Sequence, residues 1–215
     1  IKIIKKNKIN ILIIDTRDGM NKEQLRTVKV QTKVKVVSID DPEEKRMEAD
    51  LLFYPPVPQL RNEMRDEFKG KAYIGWEYVI IKENFNFIEN IKKEGVPNLL
   101  VMMGATDKDD MTNYVINSLN KNNFNFKVTI IIGSEYPHLE TLKDNLKKVS
   151  FNFSLHQNPD NIIKIMSRSH VAIASFGQTA YELAALKIPS FYICISEDHH
   201  HSATIFEKAK IGKII

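Results

Sequence analysis

The sequence predicts an α/β protein built on parallel sheets, arranged as two Rossmann-like domains of which the first is incomplete. Three observations predict it. From Asn98 onward, short β-branched runs alternate with helix-length amphipathic runs, the pattern of βαβ units. The strand runs, such as Val128-Thr-Ile-Ile-Ile132, are apolar on both faces, as strands are when helices cover both sides of a sheet. A polar stretch over Lys82–Pro97, with Asn84, Asn86, Asn90 and Lys92-Lys93-Glu94-Gly95, separates this part from a shorter alternation before it. The domains are therefore drawn at residues 1–90 and 91–215.

In the first domain Ile9–Ile14 reads as a strand, Lys22–Val30 as a helix and Val34–Ile39 as a second strand. Asp41-Pro42-Glu43-Glu44 reads as a helix start, with Asp at the N-cap and Pro in the first turn. Ala49–Tyr54 and Tyr73–Gly75 complete the strands of this half. In the second domain the strands are Asn98–Met103, Lys127–Ile132, Phe151–Leu155, Val171–Ala174 and Ser190–Ile195. Helices are expected at about Asp109–Lys121, Pro137–Lys148, Asn161–Ser167, Thr179–Leu186 and Ser202–Ala209. Gly212-Lys-Ile-Ile215 looks like a strand just beginning, and the first residue is not Met, so the chain is expected to be a fragment.

Composition narrows the classes. The 215 residues are 43% hydrophobic and 27% charged, which is globular rather than disordered composition. Apolar runs such as Ile11–Ile14 fall far short of a membrane span, the mean hydropathy is −0.29, and the start lacks the apolar core of a secretion signal. A cytoplasmic address follows as the expectation. The 31 Lys and Arg against 27 Asp and Glu are scattered, without a dense basic block or interleaved aromatics, so no nucleic-acid partner is expected. The single cysteine, Cys194, lies in an apolar run and is read as a buried small hydrophobe.

In parallel sheets ligands bind where strands lead into helix N-termini, so these loops carry the candidate chemistry. Gly104-Ala105-Thr106-Asp107 is a small-residue turn that can bring backbone amides to a phosphate; alternatively Thr106 or Asp107 caps a helix beginning near Asp109. Ser175-Phe176-Gly177-Gln178-Thr179 joins a buried strand to an Ala/Leu-rich helix through a flexible turn suited to a diphosphate. One turn later Glu182 can accept hydrogen bonds from ribose hydroxyls, or Thr179 and Glu182 can form a capping box. After the next strand, Asp198-His199-His200-His201 reads as a polar loop in which one histidine can serve near an anomeric carbon or a phosphate. Adjacent histidines point in different directions, so neither a metal nor a cofactor is called for. His138, His156 and His170 are assigned to helix-start, loop and surface positions. Hydrolase and kinase classes that depend on a Gly-x-Ser-x-Gly elbow, a Walker loop or His-Glu-x-x-His are disfavoured, because those motifs do not occur.

The order of these motifs resembles a family. Gly104-Ala-Thr-Asp107 resembles a Gly-Gly-Ser-Asp loop, and Met166–Pro189 resembles the nucleotide-binding segment of UDP-sugar enzymes with the GT-B fold. The group most resembled is the spore coat polysaccharide biosynthesis proteins related to the UDP-sugar hydrolase of pseudaminic acid synthesis. Ile14-Asp-Thr-Arg-Asp18, Ser38-Ile-Asp-Asp41, Ala49-Asp-Leu-Leu52 and Gly75-Trp-Glu-Tyr78 through Phe85 are similar to its N-terminal and interdomain segments. The sequence departs from the family at Ala105, at Lys82 where an Arg is usual, and at His199-His200 in place of Asn-Gln.

The resemblance implies a GT-B-like pair of Rossmann-like domains with a UDP-sugar substrate in the cleft. It implies nucleotide contacts from Gly104, Ala105, Thr106, Asp107, Ser175, Phe176, Gly177, Gln178, Thr179 and Glu182. It also implies catalytic roles for Tyr78 and His199, with Asp15, Asp198 and His200 facing the sugar. The histidine base of the hydrolases would belong to an opening Gly-x-Gly-His segment preceding position 1, leaving this chain mainly the binding half. Release of a sugar from UDP is the leading expectation. A GT-B glycosyltransferase and an idle nucleotide-binding module are the alternatives.

Overall fold

Residues 1–16, 19–57, 68–86, 95–122 and 125–215 are described by a computed structural model, in which the chain divides into two compact units, Ile1–Ile80 and Ile81–Ile215. The polar stretch in which the sequence placed the division at residues 90/91 includes 87–94, which lie outside the described residues.

The first unit holds a four-stranded parallel sheet in the order β1 (Ile11–Ile14), β2 (Lys35–Ile39), β3 (Leu51–Tyr54), β4 (Lys71–Ile74). A short helix α1 (Lys2–Lys6), not expected from the sequence, precedes it. Helix α2 (Lys22–Thr32) packs Leu25 and Val28 with Ile14, Val36, Leu52 and Tyr54, so alternate strand residues build the core. Asn21 and Gln24 form a capping box at its start that the sequence reading missed.

The helix start expected at Asp41 is not formed; the structure has only a 3₁₀ turn, Glu44–Glu48. The reason is that the Asp41 carboxylate turns inward. It accepts the Glu43 amide at 2.9 Å, lies 3.4 Å from the Ser38 hydroxyl and faces the buried Lys45 ammonium at 3.6 Å. The Tyr54 hydroxyl also donates to the Asp41 carbonyl. A charge removed from water is held only by such partners, so Ser38–Asp41 is a structural joint in this unit.

The second unit is a six-stranded parallel sheet ordered β10-β9-β8-β5-β6-β7. The strands are β5 (Asn98–Met102), β6 (Lys127–Ile132), β7 (Asn152–Gln157), β8 (Val171–Ser175), β9 (Ser190–Ile193) and β10 (Gly212–Ile214). This is the doubly wound order, and its reversal falls between β5 and β8, which pair from Leu99↔Val171 to Met102↔Ala174. Helices α3 (Met111–Asn120) and α4 (Leu139–Leu146) cover one face, with Val115, Ile116, Leu142 and Leu146 against Leu99, Val101 and Ile130. Helices α5 (Ile162–Met166), α6 (Gln178–Ala185) and α7 (Glu197–Lys208) cover the other, against Leu100, Ala172 and Tyr192. Alternation of Leu99 and Leu100 between the two cores explains why the strand is apolar throughout. Phe85 packs into the second core, which seats the 81–86 segment on this unit.

The last helix begins five residues before its expected start at Ser202. Ser196 is the N-cap, its hydroxyl accepting the His199 amide at 3.2 Å, and Glu197 and Asp198 occupy the first turn, where carboxylates suit the positive helix end. The histidines therefore lie on a helix rather than in a loop. Cys194, expected to be buried, is half-buried, and its thiol is pushed up chiefly by desolvation.

At the other end of the sheet, His170 is more than a surface residue. Its Nδ1 accepts the Asn98 amide at 3.0 Å, while its own amide donates to the Asn98 carbonyl at 2.8 Å. The Asn98 side chain extends the network to the Ser169 and Thr129 hydroxyls. His170→Ala is expected to leave the Asn98 amide without its acceptor and to cost about 1 kcal/mol in denaturant unfolding. An unchanged midpoint would mean that water replaces the ring.

Candidate functional site

The reversal of strand order opens a crevice at the carboxyl ends of β5 and β8, where doubly wound sheets take ligands. The β5 strand leads into Gly104–Asp110 and β8 into Ser175–Gly177. The two loops touch: a Cβ built on Gly104 would stand 3.5 Å from the Ser175 hydroxyl oxygen. Gly104 has φ +87°, a left-handed backbone that glycine adopts without cost. Asp107 and Asp110 are also left-handed, at φ +38° and +55°, each costing on the order of 1 kcal/mol that local bonds must offset.

For Asp107 those bonds are to the helix it precedes. Its two carboxylate oxygens accept the Met111 amide at 2.9 Å and the Thr112 amide at 2.8 Å, so the positive end of α3 already holds an anion. The capping alternative is thus realised by Asp107, on a helix that begins at Met111. Ala105 and Thr106 remain exposed on the loop.

The end of α6 is different. Its N-cap is Gly177, with no side-chain cap, so the capping box of Thr179 and Glu182 does not form. The physical reason lies in Phe176, whose side chain is buried against Tyr192 and Phe206, drawing the chain into the helix before Thr179. Phe176 therefore offers a ligand its backbone rather than its ring. A Cβ on Gly177 would meet no described atom within 4 Å, and Gln178 beside it is exposed. The first-turn amides of α6 are oriented as an anion site. The buried Tyr192 hydroxyl, its pKa pushed up to about 12 by desolvation, bonds the Ala180 carbonyl at 3.5 Å and ties this turn to the sheet.

Glu182 is half-buried on α6 without a hydrogen bond from a described group; burial raises its pKa, opposed by the positive charge of Lys82. His199, on the first turn of α7, sets its ring edge-on to Phe176 at 6.2 Å, so it lies beside the Ser175–Gly177 loop. Asp198 and His200 flank it and are exposed. Among the described residues no group of three His, Cys, Asp or Glu converges as a metal site.

The other predicted residues belong to the first unit. Asp15 is exposed just past the carboxyl end of β1. Tyr78 lies in a 3₁₀ turn, Trp76–Tyr78, and packs on Tyr73 and Phe53 at 5.4 and 5.9 Å. Arg17 and Asp18 of the resembling Ile14–Asp18 motif lie outside the described residues.

Two residues missed by the sequence reading support the β5 loop. A Cβ on Gly133, just past β6, would run into the Ala105 carbonyl, so the two loops approach closer than any side chain permits. Tyr136, three residues on, is buried and its hydroxyl donates to Asp110 at 2.5 Å. Gly133 looks like an ordinary turn residue, and Tyr136 lies 26 positions from its partner, so only the fold reveals either.

No protein-family profile matches the chain. It is 27% identical over 210 residues to UDP-2,4-diacetamido-2,4,6-trideoxy-β-L-altropyranose hydrolase of Campylobacter jejuni, covering 97% of this chain and 74% of that protein. Among solved structures it resembles MurG of Acinetobacter baumannii, with a TM-score of 0.66, 12% identity and coverage of 100% of this chain and 62% of that one. It also resembles S. aureus MnaA, solved with UDP, with a TM-score of 0.65, 14% identity and coverage of 100% and 64%. The chain thus spans about three quarters of the hydrolase and less than two thirds of either structure. The resemblance to a UDP-sugar hydrolase and the α/β fold with two parallel sheets read from the sequence are borne out. Among the described residues no helix is long and apolar enough to cross a membrane.

Proposed function

From its likeness to UDP-2,4-diacetamido-2,4,6-trideoxy-β-L-altropyranose hydrolase and its GT-B fold, we propose that the chain acts in the cytoplasm on UDP-sugars of surface polysaccharide or nonulosonic acid biosynthesis. Its activity is most like that of a hydrolase releasing UDP. The observation that carries this reading is the meeting of the Gly104 loop with the uncapped start of α6 at one strand-order reversal.

In this reading the amides of Gly177, Gln178 and Thr179 hold the diphosphate, with Gly104, Ala105, Thr106, Ser175 and the Phe176 backbone around it and Asp107 fixing the loop. Glu182 takes the ribose hydroxyls. Departure of UDP leaves negative charge on the diphosphate, which preorganised amides at a helix start stabilise. His199 stands beside that loop as a proton carrier, and Asp198 and His200 face the sugar. For Tyr78 and Asp15, which belong to the first unit, the proposed role toward the sugar rests on the family resemblance alone.

The test is calorimetric titration of UDP into the chain, with saturable binding expected. Release of UDP from a UDP-sugar with water as the sole acceptor then supports hydrolysis; release that needs an added sugar acceptor points to transfer. A folded chain that takes up no UDP sinks the proposal.

A further inference from the structure

We propose that Tyr136 is a positioning residue for the crevice: its hydroxyl, through Asp110, holds the Gly104–Thr106 loop in the shape that receives a nucleoside diphosphate. The inference rests on the nucleotide reading above. The β5 loop is strutted from the neighbouring β6 loop at three points. Gly133 abuts the Ala105 carbonyl, the Tyr136 hydroxyl bonds Asp110, and His138 Nε2 lies 3.3 Å from the Lys108 carbonyl.

Asp110 is the keystone because it is a left-handed residue at the N-cap of α3 and its side chain makes no cap bond. Its carboxylate accepts from side chains instead. Tyr136 donates to one oxygen, and the Asn113 amide donates to both, at 2.9 and 3.0 Å. Asn113 is itself fixed by the Asn145 amide of α4 at 2.8 Å. The chain therefore runs α4, Asn113, Asp110 and Tyr136, a partly buried polar network whose members bond one another. Two carboxylates divide the labour: Asp107 holds the start of α3 and Asp110 holds the loop to its neighbour. Ahead of both, Gly104 is the part of the loop that faces Ser175. A loop with three left-handed residues keeps one shape only where surrounding bonds over-determine it.

Tyr136→Phe removes the hydroxyl and keeps the ring in its core. It is expected to speed amide hydrogen exchange over residues 104–110 and to weaken UDP binding roughly five- to tenfold, the size of one lost hydrogen bond. Tyr54→Phe, which loses the hydroxyl bond to the Asp41 carbonyl in the other unit, is the control and is expected to change neither readout. A wild-type chain that binds UDP, alongside a Tyr136→Phe variant with unchanged loop exchange and unchanged affinity, overturns the positioning role alone. A loss of affinity in Tyr54→Phe equal to that in Tyr136→Phe overturns it too, since the effect is then one of general stability. Failure of the wild-type chain to bind UDP removes the nucleotide reading and this inference together.

Discussion

Glu182→Ala is expected to weaken UDP binding about 10- to 100-fold without destabilising the fold. A carboxylate accepting bonds from two ribose hydroxyls contributes roughly 1.5–3 kcal/mol, and every 1.4 kcal/mol is tenfold in affinity. In the free protein the same carboxylate receives no hydrogen bond from a described group and is partly desolvated, so its removal costs the fold nothing of that kind. The direction of its pKa shift adds a second expectation. Burial raises it above the ordinary 4.5, with Lys82 pulling the other way. A carboxyl whose folded value is raised binds its proton more tightly in the folded state. Its ionisation therefore burdens the fold progressively as pH rises from the ordinary value to the raised one, and fully above it. Glu182→Gln should thus gain stability relative to wild type over that rise. UDP affinity should move oppositely, falling as pH drops through the raised value, because the protonated acid is a poorer acceptor; the Gln variant should show no such fall. Paired titrations and thermal unfolding between pH 4 and 8 read both. Undiminished affinity in Glu182→Ala would return Glu182 to the status of an ordinary helix residue.

That expectation came from a residue the sequence singled out, and the reason it was legible is general. Strand runs such as Val128–Ile132 announce a sheet covered on both faces, and a loop after each strand is a place to look for chemistry. Gly104, Ser175 and Glu182 were found in that way, and the strand order brought the first two into contact. Local signals misled where a tertiary contact outweighed them. Thr179-x-x-Glu182 has the spacing of a capping box, yet burial of the Phe176 ring starts the helix at Gln178. Asp41-Pro42-Glu43-Glu44 has the look of a helix start, yet the carboxylate is needed by a lysine inside the protein. At Ser196 the signal was present, a Ser followed by two acids, but the run of histidines masked it as a loop. Contacts between distant loops leave no local trace at all.

Gly133 is the sharpest case of such a contact, and Gly133→Ala is expected to have the largest effect on stability. The obstacle to its Cβ is the carbonyl, carbonyl carbon and Cα of Ala105, all backbone. A side chain in that position could rotate away; a backbone at the end of a central strand cannot without shifting β5 or the whole loop. Overpacking of a core by a methyl typically costs 1–3 kcal/mol, and in a protein of this size each kcal/mol lowers the unfolding temperature by roughly 2–4 °C. A fall of about 2–12 °C is therefore expected, and the displaced loop should lose UDP affinity as well. Glycine at 133 is required for space, not for backbone freedom, since its φ does not lie in the left-handed region. Gly133→Ser should accordingly fare no better than Ala, despite the ease with which serine enters turns. Unfolding temperature and loop exchange in the two variants decide the matter: wild-type values in both would mean that the β5 and β6 loops stand further apart in solution, and the strut from Gly133 would be lost with them.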